Sequence, residues 1–151
     1  MTLLVTQQQR DNALEALHIM MPSILEEDVV TNLEHWNGGD LAKGIGCGTL
    51  ACFGGFCASY LPFIEQGVCV ESRGMPTMST GVSSREVSSR VVSNILFGDT
   101  SMFNCRYNSY LDFDASGKIF KGTDHELICH RLRKLIKTSK IVGLTSNQTR
   151  W

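Results

Sequence analysis

The chain has 151 residues, 42% of them hydrophobic and 19% charged, which excludes a disordered polymer and leaves enough length to bury a real core. No run approaches the ~18 apolar residues of a membrane span, and the opening MTLLVTQQQR lacks the basic and apolar regions of a secretory signal. The expectation is a cytoplasmic protein whose six cysteines stay mostly reduced.

In chain order, Thr6 opens a first helix, with Gln9 as its capping-box partner. Leu14, Leu17 and Met21 share one face, and Pro22 ends it. Ser23 and Glu26 predict a second capped helix, with Glu27 and Asp28 in its first turn and Val29, Leu33 and Trp36 as its stripe. Asn37-Gly38-Gly39-Asp40 stops that helix and opens a glycine-rich loop through Gly48. A third helix is predicted from Thr49 to about Tyr60, ended or kinked by Leu61-Pro62. Val68-Cys69-Val70 reads as a short strand, and residues 74–84 read as loop. Ser83 and Glu86 form another capping box for a helix with Val87, Val91, Val92 and Ile95 as its stripe and Gly98 as its C-cap. Residues 105–122 predict a hairpin around Asp114-Ala115-Ser116-Gly117. A last helix runs from about Asp124 to Lys140, with Ile128, Leu132, Leu135 and Ile136 as its core stripe. Together these predict one compact domain over residues 1–151, mainly α (α+β), with about five helices and a small β-hairpin.

The net charge of −1 conceals a polarity. Residues 118–151 hold eight basic and two acidic side chains, whereas the preceding 117 hold six basic and thirteen acidic. A basic end on an acidic body either steers an anionic partner or holds the two parts together. On the last helix, His130, Arg133, Lys137 and Lys140 line one face, flanked by Arg131 and Lys134. These six residues are the expected partner-binding surface, and Glu26, Glu27 and Asp28 are a second, acidic one. Nucleic acid suits the basic stripe less well than protein does, because the remainder is acidic and the pI is about 6.4.

The stretch CGTLACFGGFC, residues 47–57, admits two readings. Ala51, Gly55 and Ala58 make a seam of small residues, opposed by Phe53, Phe56 and Tyr60. Cys52 and Cys57 are then small buried hydrophobes. Alternatively, Cys47 and Cys52 sit at a helix start, where a thiolate is favoured. Their C-x4-C spacing is not that of a redox or zinc motif. Backbone N–H groups at Cys47, Gly48 and Thr49 would suit a small anionic or nucleotide ligand.

With Trp36 ahead of it, the pattern of Cys47, Gly48, Thr49, Cys52 and Gly55 resembles the C-G-T-x-x-C-x-x-G signature of small uncharacterised phage and prophage proteins. That resemblance covers about the first third of the chain. It implies a phage context inside a host cell and no particular chemistry.

Two metal-like patterns fall short. His125 and His130 are five residues apart, so they do not share a helix face as H-E-x-x-H requires. His125 and Cys129 do share one, and with Cys47 and Cys52 would complete a zinc set. Asp112, Asp114 and Ser116 imitate the first half of a calcium loop, but Thr123 stands where the bidentate Glu belongs. A simple Asp-Ala-Ser-Gly turn accounts for the same residues. No phosphate-cradling GK[ST] and no G-x-S-x-G is present, so no catalytic residue, metal or cofactor is assigned. The expected function is a phage-encoded protein that binds a host protein and inhibits or redirects it. A module sequestering a small anion and a cysteine-dependent redox or thiol enzyme are the alternatives.

Overall fold

The computed structural model describes residues 3–29, 53–70, 76–78, 89–104 and 107–142. It is mainly α with a small β part. Strand β1 (Leu3–Val5) leads into α1 (Gln7–Glu15), which continues through a π turn (Ala16–Met20) and a 3-10 turn (Met21–Ser23). A second 3-10 turn covers Glu26–Asp28. The other elements are α2 (Phe53–Ser59), α3 (Leu61–Ile64), β2 (Val68–Val70), β3 (Pro76–Met78), α4 (Ser89–Phe97), a 3-10 turn (Tyr110–Asp112), α5 (Asp124–Thr138) and β4 (Ser139–Ile141). Among the described residues no helix is long and apolar enough to cross a membrane.

The first turn of α1 organises much of the fold. Thr6 and Gln9 form the expected capping box, and the same Gln9 reaches outward. Its Nε2 donates to the Asn94 carbonyl at 2.9 Å, which also accepts the Gly98 N–H at 2.8 Å, and lies 3.4 Å from the Ile95 carbonyl. Arg10 does the equivalent for α5, donating to the Ile136 carbonyl at 2.9 Å. Two helix C-termini are therefore each tied to α1 by neighbouring residues of one helical turn. Gly98 permits the approach. It ends α4 at φ +78°, and a Cβ there would lie 2.7 Å from Val5 Cγ1 and 2.8 Å from Gln9 Oε1.

Beneath this frame lies an aromatic cluster centred on Phe97. Phe53 stacks on it at 5.5 Å between centroids, and Phe63 and Phe103 meet it edge-on at 5.9 and 6.3 Å. These are favourable geometries for ring quadrupoles. Every residue of α2 from Phe53 to Ala58 is buried, Cys57 among them, so the whole girth of the helix belongs to the interior. Strand β1 pairs in parallel with β4, Val5 opposite Ile141, and so closes the chain onto the end of α5.

Several expectations are corrected. Ser23 caps no helix: its hydroxyl turns back to donate to the Met20 carbonyl at 2.6 Å, and Glu26–Asp28 forms one 3-10 turn with no side-chain cap. The helix break expected at Leu61-Pro62 is present: Tyr60 is extended, and a new short helix begins at Leu61 with Pro62 in its first turn, where a missing N–H is harmless. Residues 76–78, read as loop, form a strand antiparallel to β2, Cys69 opposite Thr77. The α4 stripe is displaced: Val91 and Ile95 are exposed, while Val92, Ser93, Leu96 and Phe97 are buried. Ser93 tolerates this because its Oγ donates to the Asp99 carbonyl and accepts from Met102 N–H. The predicted hairpin keeps its turn but, among the described residues, has a single bridge, Phe113 to Ile119. The last helix ends at Thr138, and Lys140 lies in β4. The stripes and caps predicted at Leu33, Trp36, Ser83, Glu86 and Val87, and the start of the third helix at Thr49, lie outside the described residues.

Candidate interaction face

Arg131 is the centre of the best-organised polar cluster. Its guanidinium donates from Nε to Asp112 Oδ1 at 2.5 Å and from Nη2 to Asp112 Oδ2 at 2.8 Å. Nη1 donates to the carbonyls of Met102 and Asn104 at 3.1 and 2.8 Å. Arg131 and Asp112 are both 0% exposed. A buried pair survives only when its remaining polar valences are filled, and here they are.

The second oxygen of Asp112 also accepts the Tyr107 N–H at 2.7 Å. Tyr107 stands at φ +72°, the only non-glycine residue with positive φ among the described residues. That conformation costs an L side chain about 1–2 kcal/mol, so it persists only where its surroundings over-determine it.

A second network fixes the same loop from the other side. Asp99 accepts from Ser101 N–H and Oγ through Oδ1, and from the Tyr110 hydroxyl through Oδ2 at 2.6 Å. Ser101 gives its proton to Asp99, so Ser109 is the donor in their 2.7 Å contact. Ser109 Oγ in turn accepts the Leu111 N–H and caps the 3-10 turn. Burial and then the Asp99 hydrogen bond push the Tyr110 hydroxyl well above the usual phenol range. On this double anchorage the loop presents Tyr107, 50% exposed, and Tyr110, 51% exposed, with exposed Asn108 between them.

The six predicted contact residues divide. Arg131 is no surface residue: it lies on the inward stripe and holds the loop from beneath. His130 is half-buried, stacked on Phe120 at 4.3 Å and 13° between planes. Lys134 is tied down, its Nζ donating to the carbonyls of Tyr110 and Phe113 at 3.1 and 2.6 Å. Arg133 and Lys137 are exposed on α5, and Lys140 is exposed on β4. The acidic residues Glu26 and Glu27 line a shallow recess with Val29, Thr123 and Asp124.

Cys47, Gly48 and Thr49, the alternative ligand site, lie outside the described residues, as do Trp36 and Cys52. Gly55 is buried within α2. His125 Nε2 lies 2.8 Å from the Met21 carbonyl and so carries the proton, which turns the Nδ1 acceptor toward Cys129 Sγ at 3.8 Å. Burial pushes the Cys129 thiol upward, opposed by the Arg133 charge, which disfavours the nucleophilic thiolate. Among the described residues no three His, Cys, Asp or Glu side chains are placed to hold a metal ion. In the calcium-like stretch, Asp112 is committed to Arg131. Asp114 Oδ1 instead accepts from Ser116 N–H, Ser116 Oγ and Lys118 N–H, so these bonds build a turn.

The tyrosine loop was missed in the sequence because its two anchors, Arg131 and Asp99, belong to different segments. One signal was present: Arg131 follows Ile128 by three residues and precedes Leu135 by four, which is the spacing of the apolar stripe. Compared with known protein families, curated proteins and solved structures, the chain matches none.

Proposed function

We propose that this is an interaction protein whose contact face is the loop carrying Tyr107, Asn108 and Tyr110, flanked by the exposed cations of α5. One observation carries the reading: a backbone conformation unfavourable for tyrosine is held by a fully buried ion pair, and the result is a fixed pair of half-exposed aromatic rings. Tyrosines supply large contact area at small entropic cost, and fixing them before binding removes much of what ordering would otherwise cost. The phage-like signature adds a setting in which the partner is a host protein that becomes inhibited or redirected.

The reading is tested by placing a photo-crosslinking phenylalanine analogue at position 107, 110 or 61 in the host cell. Discrete adducts of one mass from 107 and 110, and none from the exposed position 61 on α3, are expected. No adducts, or the same adducts from all three positions, would refute it.

A further inference from the structure

Next to the tyrosine loop, residues 112–121 fold back on themselves. Asp114 N–H donates to the Lys118 carbonyl, and Phe120 N–H donates to the Asp112 carbonyl, both at 2.7 Å. Gly117, at φ +84°, makes the turn. The outer side of this hairpin is an open groove of about 710 Å³. Its lining includes Phe113, Ile119 and Phe120 together with Lys118 and Lys121. Both lysines and Ile119 are exposed.

The one carboxylate in the lining, Asp114, has Oδ1 occupied by its three turn donors. The groove thus pairs apolar side chains, of which Ile119 is the exposed one, with two lysines, Lys118 lying within the field of Asp114. It is continuous with the tyrosine loop, since Phe113 directly follows the 3-10 turn Tyr110–Asp112, and Lys134 binds the carbonyls of both Tyr110 and Phe113.

From this we infer that the groove receives an acidic peptide segment of the partner. An apolar side chain of that segment lies on Phe113 and Ile119, and its flanking carboxylates meet Lys118 and Lys121. The inference rests on the interaction reading and specifies the partner's chemistry. Charge complementarity selects the acidic sequence, and the aliphatic Ile119 suits a side chain better than a nucleobase. Phe120 is already covered on one face by His130 at stacking distance.

The probe is a fluorescein-labelled peptide with a leucine flanked on each side by two glutamates, titrated into the full chain by anisotropy. Oligothymidylate and the lysine analogue of the peptide are run alongside. Saturable binding by the acidic peptide is expected, with a shift of the Ile119 methyl resonances. It should weaken about tenfold in K118E/K121E, the scale of two exposed charge contacts. Binding unchanged in that variant, an unshifted Ile119, or tighter binding of oligothymidylate or of the lysine peptide overturns the inference. If the peptide fails while positions 107 and 110 still crosslink, only the groove is refuted. If the crosslinks are absent, the interaction reading fails as well.

Discussion

Replacing Arg131 by methionine preserves most of the side chain's volume and removes its charge. The structure fixes what is lost: two hydrogen bonds to Asp112 and the donors to the Met102 and Asn104 carbonyls. Asp112 would remain at 0% exposure with only the Tyr107 N–H to stabilise its charge. An uncompensated buried charge of this kind costs about 3–5 kcal/mol. Set against a total stability of about 5–15 kcal/mol, R131M should be severely weakened. With a urea slope of about 1–3 kcal/mol/M, the unfolding midpoint should fall by about 1 M or more. Removing the orphaned carboxylate as well, in R131M/D112L, should recover at least about 2 kcal/mol of that loss, because the desolvation penalty disappears with the second charge. Recovery should be incomplete, since Tyr107 N–H loses the Asp112 acceptor and two carbonyls lose the Arg131 donor. Hydrogen exchange should show the Tyr107 amide opening first in D112L. A loss below about 1 kcal/mol in R131M, or single effects that simply add in the double variant, would refute a closed ion pair.

Three further outcomes concern the glycine turns, Tyr60 and Glu126. Gly117→Ala meets nothing within 4 Å and should cost only the left-handed penalty of about 1 kcal/mol. Gly98→Ala also collides with Val5 and the capping Gln9, so its thermal midpoint should drop at least about twice as far; equal drops would contradict the close approach. Burial, and then the Glu15 hydrogen bond, raise the Tyr60 phenol to about 12. Its neutral form therefore stabilises the fold below the ordinary phenol pKa, and that contribution is lost as pH rises through the folded value. Ultraviolet titration should show Tyr60 moving down in E15Q. The Thr123 N–H holds the Glu126 carboxyl below its usual range, so ionised Glu126 stabilises the native state at neutral pH and ceases to as pH falls through the folded value. The urea midpoints of wild type and E126Q should accordingly converge as pH falls through the folded value; a gap that stays constant would rule out the linkage.

The features legible before folding are those governed by neighbours within about one helical turn. Thr6 and Gln9 cap α1, Gly98 ends α4, and Asp114 makes its turn with Ser116 and Lys118, because each needs only residues a few positions away. The stripe Ile128, Leu132 and Leu135 was readable for the same reason. Val68–Val70 carried enough β-branched character to be recognised, whereas its partner Pro76–Met78 did not, since a strand led by proline becomes one only when a ladder is offered to it.

Tertiary structure decided the rest, where burial depended on a partner arriving from elsewhere. Val91 is the more apolar in sequence, yet Ser93 lies inside because Asp99 and Met102 satisfy its hydroxyl, and Val91 lies outside. Arg131 stands in a run of basic residues and looks solvated until the fold delivers Asp112 and two carbonyls to it. The strained tyrosine loop is held partly by a near neighbour, Asp112 accepting the Tyr107 N–H, and partly by Arg131, which reaches Asp112 only through the packing of α5. A polar side chain can be buried only if its hydrogen bonds are met, and whether they are met is a property of distant contacts rather than of sequence period.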